Sequence, residues 1–214
     1  VVVIIFRVGL GLAIAYAVYS SLVKYKSFFR TVFYMPVVTP MVAVAFVWKF
    51  MYNPQIGTIN QIFGLDINWL MNPKTALIAV IIMTIWKDFG YAVVMYMAGL
   101  YSLPSDALEA AKVDGASTWR TYWKIIFPIM RPMHATVAVL TALSVWNDVM
   151  TPLVIMAGSD QNTLPLAQLN FQTQFGTNYN LAFASYLLSL IPILIFYIVC
   201  QKQILNGVVN GAVK

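Results

Sequence analysis

Residues 102–132, SLPSDALEAAKVDGASTWRTYWKIIFPIMRP, form a polar island between long apolar runs. This island holds seven of the chain's twenty charged residues in thirty-one positions. Charged side chains at this density are too costly for hydrocarbon, so the stretch must lie in water. The chain must therefore leave the hydrocarbon at this stretch, and we assign the flanking apolar runs relative to it.

The local sequence of the island predicts a helix, a turn and a second helix. Asp106 followed by Glu109 has the spacing of a capping box, with acidic groups where a helix N-terminus favours them. Gly115 permits the backbone turn that ends this helix, and Ser117 can cap the next one. Pro128 interrupts the pattern before the following apolar run. We therefore predict a helical hairpin outside the membrane.

The first helix of this hairpin carries unusually small side chains. Alanine occupies positions 107, 110 and 111. Small side chains on an exposed helix allow a groove on another protein to come close to the backbone. The sequence thus predicts a docking element.

Composition identifies an integral membrane protein. The chain is 61% hydrophobic and 9% charged, with a mean hydropathy of +0.78, whereas a soluble domain of 214 residues needs far more polar surface. The net charge is +6, but the basic residues occur in ones and twos beside apolar spans, which is typical of membrane topology and not of nucleic-acid binding. The only cysteine, Cys200, excludes an intrachain disulfide and a cysteine-based metal cluster.

The apolar runs predict an all-α fold in one domain, 1–214, with about five membrane spans. Each run is long enough to cross a hydrocarbon core of roughly 30 Å. The predicted spans are 1–23, 31–52, 75–100, 133–156 and 181–200. Because the chain starts inside an apolar run without an initiator Met, we expect a preceding segment.

The positive-inside rule sets the orientation of these spans. On this topology the hairpin is cytoplasmic, and Lys74 alone is clearly outside. The lysines and arginines expected on the cytoplasmic side are Lys24, Lys26, Arg30, Lys112, Arg120, Lys124, Arg131, Lys202 and Lys214.

The sequence carries no pattern for catalysis or for a metal site. No glycine is followed by lysine, so a phosphate-binding GxxxxGK[ST] loop is absent. There is no metal-ligand spacing, and His134, the only histidine, has no triad pattern around it and is interpreted as an interfacial residue. We therefore predict that the chain is not an enzyme and that, if it moves a solute uphill, the energy enters through a partner.

The hairpin resembles the EAA loop of permease subunits of binding-protein-dependent ABC importers. The resemblance rests on the string 109–111, on Gly115 and on Ile126-Phe127-Pro128, where Phe127 replaces the family's usual leucine. In that family the loop is a coupling helix that docks onto a cytoplasmic ATPase. The resemblance thus implies coupling roles for five residues, namely Glu109, Ala110, Ala111, Asp114 and Gly115.

Further segments are similar to the carbohydrate branch of that family, the maltose and glycerol-3-phosphate type. Residues 28–36 and 48–60 carry this likeness, whereas 144–152 and 206–214 are similar to the subunit usually encoded second of a pair, so the subunit type stays open. The resemblance implies a multi-pass protein of a prokaryotic inner membrane. It also implies a family core of six spans, of which we expect the first to be missing from this sequence. Its implied partners are a second permease subunit, two ATPases that bind ATP and Mg²⁺, and an external solute-binding protein.

Polar groups within the third and fourth spans are candidates for the substrate path. Intramembrane polar groups usually face a cavity or another helix, and a sugar requires aromatic faces and hydrogen-bonding groups. The candidates are Trp86, Lys87, Asp88, Tyr91, Ser144, Trp146, Asn147 and Asp148.

Two features of these spans have alternative interpretations. Lys87 and Asp88 are about 100° apart on a helix and are not expected to face each other well. Either of them can instead pair with Asp148 or a partner subunit to stabilise the bundle. Trp48 and Trp69 are interpreted as interfacial anchors.

The sequence favours a permease subunit of an ATP-driven importer for a sugar or oligosaccharide. The alternatives are an importer permease for a non-sugar solute, an ion-coupled secondary transporter using Lys87, Asp88 and Asp148, and a membrane-embedded enzyme. The secondary transporter requires inverted repeats, and no repeat of fixed period is visible. The sequence does not specify which sugar is carried.

Overall fold

The computed structural model describes residues 1–20, 23–103, 109, 111, 113–156, 162–173 and 176–212, and for 172–173, 176–177 and 202–212 it describes the backbone only. These residues are almost entirely helical, which confirms the predicted all-α class. One two-stranded antiparallel ribbon joins β1 (Gln172–Thr173) to β2 (Gly176–Thr177), with Gln172 opposite Thr177.

The helices follow one another with short connections. The first five are α1 (Val2–Tyr19), α2 (Lys26–Val38), α3 (Met41–Met51), α4 (Thr58–Phe63) and α5 (Pro73–Tyr101). After the hairpin turn come α6 (Thr118–Thr121), a π-helix (Tyr122–Ile126), α7 (Phe127–Ile129) and α8 (Arg131–Trp146). The last are α9 (Met150–Ile155), α10 (Leu164–Gln168), a 3-10 turn (Leu169–Phe171) and α11 (Tyr179–Ala212).

Helix α5 is the centre of the bundle, and small residues allow α1 and α2 to approach it closely. A Cβ atom on Gly11 would lie 2.8 Å from the Cβ of Ala92, and one on Gly90 would collide with the backbone carbonyl of Phe33. In lipid, where no hydrophobic effect drives helices together, such backbone contact is a main source of packing energy. The glycines therefore set the positions of α1 and α2 on α5.

Two apolar cores lie along α5, one on each side of a polar stretch. The first, the hairpin core, joins Leu12 and Val93 to Ile126 of the hairpin. The second, the α3 core, joins Val44 and Met83 to Ile155. The α5 residues of the α3 core end at Met83, and those of the hairpin core begin at Ala92. Residues 84–91, which include Lys87 and Asp88, separate the two cores.

Two helix pairs are sharply bent. Helices α2 and α3 meet at 93°, and the helical segment Thr118–Ile129 meets α8 at 71°. The first bend falls at Thr39 and Pro40, because Pro40 has no N–H to continue the α2 hydrogen-bond ladder. Predicted span 31–52 therefore consists of two helices meeting at a steep angle. Predicted span 133–156 is interrupted as well, between α8 and α9.

The described residues contain three single helices long and apolar enough to cross a membrane, or five spans if each bent pair counts as one. Large apolar side chains cover the outside of the bundle. In the most apolar stretch of 18 residues within 179–201, no residue is buried inside the chain. An apolar exterior of this extent requires lipid or other protein around it.

Trp48 and Trp69 do not serve as simple interfacial anchors. Trp48 is 7% exposed and packs in the α3 core. The indole of Trp69 donates to Asn60 Oδ1 at 2.8 Å, and Asn60 Nδ2 in turn donates to the carbonyls of Pro54 and Ile67. Asn60 thus organises the connection between α3 and α5.

Candidate functional site

The turn of the hairpin has the geometry that its sequence predicts. Gly115 has φ +66°, and the N–H of Ala116 donates to the carbonyl of Ala111 at 2.9 Å, the hydrogen bond of a Schellman motif. Ser117 then caps α6, since its Oγ accepts from the N–H of Arg120 at 3.3 Å. The glycine turn and the second helix are therefore present, and the described residues before the turn, 109, 111 and 113, are helical.

The predicted coupling residues differ in side-chain exposure. Glu109 is helical and exposed, and so is Asp114 at the turn. Ala111 is only 3% exposed, so its methyl group faces this chain rather than a partner's groove. Ala110 lies outside the described residues, as does the predicted cap at Asp106. The accessible helical surface near the turn includes Val113, which is 87% exposed and which the sequence did not single out.

An aromatic series connects the hairpin to the bundle. Trp119 stacks on Tyr122, whose ring also contacts Tyr16 of α1 and Trp123. Phe127 packs against Trp123, and the centroids of the two rings are 5.2 Å apart. These contacts run from the exposed Trp119 to the base of the hairpin, so the hairpin is attached to α1 by packed rings.

His134 lies where this series meets α5 and is not simply an interfacial residue. Its Nε2 is 3.0 Å from the carbonyl oxygen of Phe127, and its Nδ1 is 3.0 Å from the hydroxyl of Tyr96. The imidazole therefore joins the end of the hairpin, α8 and α5. Its signal in the sequence was its position two residues after Pro132, where a bend frees carbonyl groups.

The second candidate site is a polar cavity between α5 and the α8–α9 connection. It has a volume of about 210 Å³. Four of the predicted path residues line it, namely Lys87, Asp88, Ser144 and Asp148. Its other lining residues are Met41, Met83, Thr84 and Thr151. The cavity occupies the polar stretch that separates the two apolar cores.

The other four predicted path residues lie elsewhere. Trp86 packs edge-on against Trp48 and lines a separate apolar groove with residues of α1. Trp146 donates from its indole to the carbonyl of Ser189 at 3.1 Å and lines another apolar groove. Tyr91 and Asn147 are exposed and are not among the residues lining the polar cavity. These residues were predicted for the path because they are aromatic or polar side chains within the third and fourth spans, and that role stays a prediction.

Ion pairs connect the α5 side of the cavity to α1. Asp88 Oδ2 is 2.6 Å from Nη2 of Arg7, and Asp88 Oδ1 is 3.6 Å from Nζ of Lys87. Lys87 and Asp88 therefore do contact each other, contrary to the helical-periodicity estimate, because the flexible lysine side chain reaches across. Sequence reasoning missed Arg7, although a lone arginine inside an apolar run is itself a signal of a buried partner.

Lys87 also stabilises the bend between α2 and α3. Its Nζ donates to the carbonyl oxygen of Val37 at 3.2 Å, two residues before the bend at Thr39. A carbonyl at the end of a helix has no intrahelical partner, and a cation is favoured there. Met41, the first residue of α3, then lines the polar cavity. The bend and the cavity are therefore built from the same residues.

The fold combines apolar helices long enough to cross a membrane, a polar cavity between them and an exposed glycine turn, a combination that fits a membrane transport component. The chain belongs to the family described as the binding-protein-dependent transport system inner membrane component, which matches residues 8–208. This membership places it in the inner membrane as a multi-pass permease and agrees with the predicted absence of catalysis and of a cofactor in this chain.

Individual relatives and structures agree with the family. The chain is 48% identical over 114 residues to the multiple sugar-binding transport system permease protein MsmG of Streptococcus mutans, covering 53% of this chain and 41% of MsmG. It is 31% identical over 177 residues to the probable starch degradation products transport system permease protein AmyD of Thermoanaerobacterium thermosulfurigenes, covering 81% and 60%. The chain thus spans less than half of MsmG and about three fifths of AmyD.

The fold is also similar to that of a solved transporter. A chain in the crystal structure of a bacterial ABC transporter involved in the import of the acidic polysaccharide alginate superimposes with a TM-score of 0.71. The match covers 94% of this chain and 77% of that one, at 20% sequence identity. At this identity the likeness concerns the fold alone.

Proposed function

We propose that the chain is a permease subunit of an ATP-driven importer and that it forms part of the path for a sugar or oligosaccharide. The observation that carries this proposal is the capped hairpin at 109–117, exposed at Glu109 and Val113 and attached to the bundle through packed rings. Within the described residues, this hairpin is the element best built to receive force from another protein.

The proposed assembly contains a second permease subunit, two cytoplasmic ATPases that bind ATP and Mg²⁺, and an external solute-binding protein. Closure of the ATPases on ATP would push the hairpin. His134 would pass that movement to α5 through Tyr96, because its ring bonds both Phe127 and Tyr96. Helix α5 also carries the Lys87–Asp88 side of the cavity, so hairpin and cavity share one rigid element.

The proposed cargo follows from the chemistry of the cavity and from the relatives. Hydroxyl and carboxylate groups at Thr84, Ser144 and Asp148 suit the hydroxyl-rich surface of a sugar. The relatives named above are permeases of sugar and starch-product systems. A partner subunit would complete the path, since this cavity of about 210 Å³ is too small to hold an oligosaccharide by itself.

The test is uptake by the complete transporter in proteoliposomes that contain ATP, with its binding protein outside. We expect accumulation of at least one of radiolabelled maltotriose, xylose and arabinose, and loss of accumulation when ATP is replaced by ADP. Uptake that survives without ATP but collapses with a protonophore would instead indicate a secondary transporter. Uptake of amino acids but of none of these sugars would contradict the proposed cargo.

A further inference from the structure

The two sides of the polar cavity differ in how completely their polar groups are bonded. On the α5 side, Arg7 is 4% exposed, and its Nη2 bonds both Asp88 Oδ2, at 2.6 Å, and the carbonyl of Thr84, at 3.1 Å. Arg7 Nε has no hydrogen-bond partner among the described residues. Asp88 is therefore the main counter-charge of the buried guanidinium, and Asp148 adds a weaker electrostatic attraction.

The second oxygen of Asp88 accepts no hydrogen bond from the described residues, but it lies near a cation. Asp88 Oδ1 is 3.6 Å from Nζ of Lys87, and the same Nζ donates to the carbonyl of Val37 at the bend between α2 and α3. Arg7, Asp88, Lys87 and Val37 thus form one continuous series that ties α1, α5 and the end of α2 together. A solute that binds Asp88 would therefore compete with two cations for its charge.

The opposite side of the cavity is open. Asp148 Oδ1 accepts from the N–H of Thr151 at 3.0 Å and so caps α9. Asp148 Oδ2 bonds none of the residues that the structure describes, and the Ser144 hydroxyl is exposed and likewise unbonded within that part of the chain. Asp148 and Ser144 therefore offer two acceptors and a donor beside the cavity that have no hydrogen-bond partner among the described residues.

We infer that Arg7 is a positioning residue that reserves Asp88 for the contact between α1 and α5, and that the solute is recognised on the other side, by Asp148 and Ser144. This inference rests on the proposed function, because it assumes that the cavity is part of a solute path. The recognised chemistry is a neutral polyol, whose hydroxyls can donate to Asp148 and exchange hydrogen bonds with Ser144.

The inference predicts an asymmetry between substitutions that ligand binding by Asp88 would not produce. Asp88→Asn leaves a buried arginine without its counter-charge, which is strongly destabilising. In Arg7→Gln, Asp88 keeps its ion pair with Lys87, and its 27% exposed side chain can also be solvated from the cavity. The loss of stability is therefore smaller. The double change Arg7→Gln/Asp88→Asn removes both charges and restores most of the stability.

The experiment measures the Tm of the purified complete transporter and the sugar concentration for half-maximal uptake in proteoliposomes. We expect Asp88→Asn to lower Tm by about 5 °C or more, Arg7→Gln to lower it less, and the double variant to lie nearer to wild type. The half-saturating concentration should stay within about twofold of wild type in the double variant, whereas loss of a direct ligand would change it about tenfold or more.

Asp148→Asn is the matched control, since it makes the same chemical change and keeps an oxygen to cap Thr151. It should lower Tm less than Asp88→Asn does, because the attraction of Asp148 to Arg7 is the weaker one, and raise the half-saturating concentration about tenfold. The inference is overturned if the Tm losses of the two single variants simply add in the double variant. It is also overturned if the double variant, rather than Asp148→Asn, has the raised half-saturating concentration.

The Tm measurements and the uptake measurements test this inference and the proposed function separately. If the wild-type transporter takes up no sugar at all, the proposed function fails and the recognition role of Asp148 fails with it. The Tm measurements need no solute, so they still decide whether Arg7 and Asp88 form a stabilising pair. If sugar uptake is normal but the pair shows no thermodynamic coupling, the inference alone is wrong.

Discussion

The Nζ of Lys87 lies 3.2 Å from the carbonyl oxygen of Val37 and thereby satisfies a group that the 93° bend between α2 and α3 would leave unbonded. His134 has the same relation to the carbonyl of Phe127, beside the 71° bend before α8. An unsatisfied carbonyl in lipid is expensive, so a broken membrane helix needs a donor from elsewhere. Each bend in this bundle has one.

Removal of the Lys87 ammonium should loosen the first bend. Lys87→Met leaves the carbonyl of Val37 without this donor, at a cost of about 1–3 kcal/mol. We expect the distance distribution between spin labels at Val38 and Val47, both exposed positions flanking the bend, to broaden by pulsed electron resonance. Lys49→Met is the control, because it makes the same change on the exposed face of α3. Equal distributions in the two variants would show that Lys87 does not stabilise the bend.

The close contact of Gly90 with Phe33 should make this glycine intolerant of even one methyl group. A Cβ there would collide with backbone, which cannot rotate away, so Gly90→Ala must displace α2 from α5. We expect it to lower the free energy of unfolding by about 1–3 kcal/mol. Gly9→Ala is the matched control, since a Cβ on Gly9 has no atom within 4 Å. Thermal unfolding in detergent measures both, and equal Tm values would contradict the packing assignment.

The turn at Gly115 should be sensitive to backbone conformation and not to crowding. A Cβ there meets nothing within 4 Å, but φ is +66°, a region that β-branched residues avoid and asparagine tolerates. Gly115→Val should therefore misplace the hairpin and reduce sugar uptake strongly, while Gly115→Asn retains most of it. Uptake and ATP hydrolysis are measured on the same preparations. Equal uptake by the two variants would show that the turn is not needed for coupling.

The His134 contacts predict non-additive effects of two substitutions. Tyr96→Phe removes one hydrogen bond to the imidazole, and His134→Ala removes that bond together with the one to Phe127. Since the first bond is shared, the double variant should be no worse in ATP-driven uptake than His134→Ala alone. If the losses of uptake in the two single variants add up in the double variant, the two residues act independently. The proposed transmission of movement through the Tyr96–His134 contact would then be contradicted.

Local sequence predicted the hairpin well because its determinants are adjacent in the chain. Gly115 and Ser117 act within one or two turns of helix, and both have the expected geometry. The cavity depended on contacts between distant segments. The sequence placed Asp88 and Asp148 on the predicted path, and both line this cavity. It could not reveal that Asp88 is held by Arg7, which is 81 residues away in sequence.

The positions of two predicted aromatic path residues, away from the polar cavity, have a related explanation. Trp86 and Trp146 share the polar helical stretches with Asp88 and Asp148, yet each faces an apolar groove. A helix turns about 100° per residue, so neighbours of a path residue need not share its face. Trp48 was interpreted as an anchor because anchors are common, whereas the bend after α2 places it in a core.

The most direct test of the coupling role is a cross-link from the hairpin to the ATPase in native membranes. In a Cys200→Ala background, which removes the only cysteine of residues 1–214, a photo-reactive maleimide is attached at Val113→Cys, a position that is 87% exposed in the unsubstituted chain. Ile62→Cys, at a position 70% exposed between α3 and α5, serves as the control. The permease account predicts an adduct between the hairpin variant and the ATP-hydrolysing subunit and none from the control. If membranes that import sugar normally give no more ATPase adduct from position 113 than from position 62, the hairpin is not the coupling element.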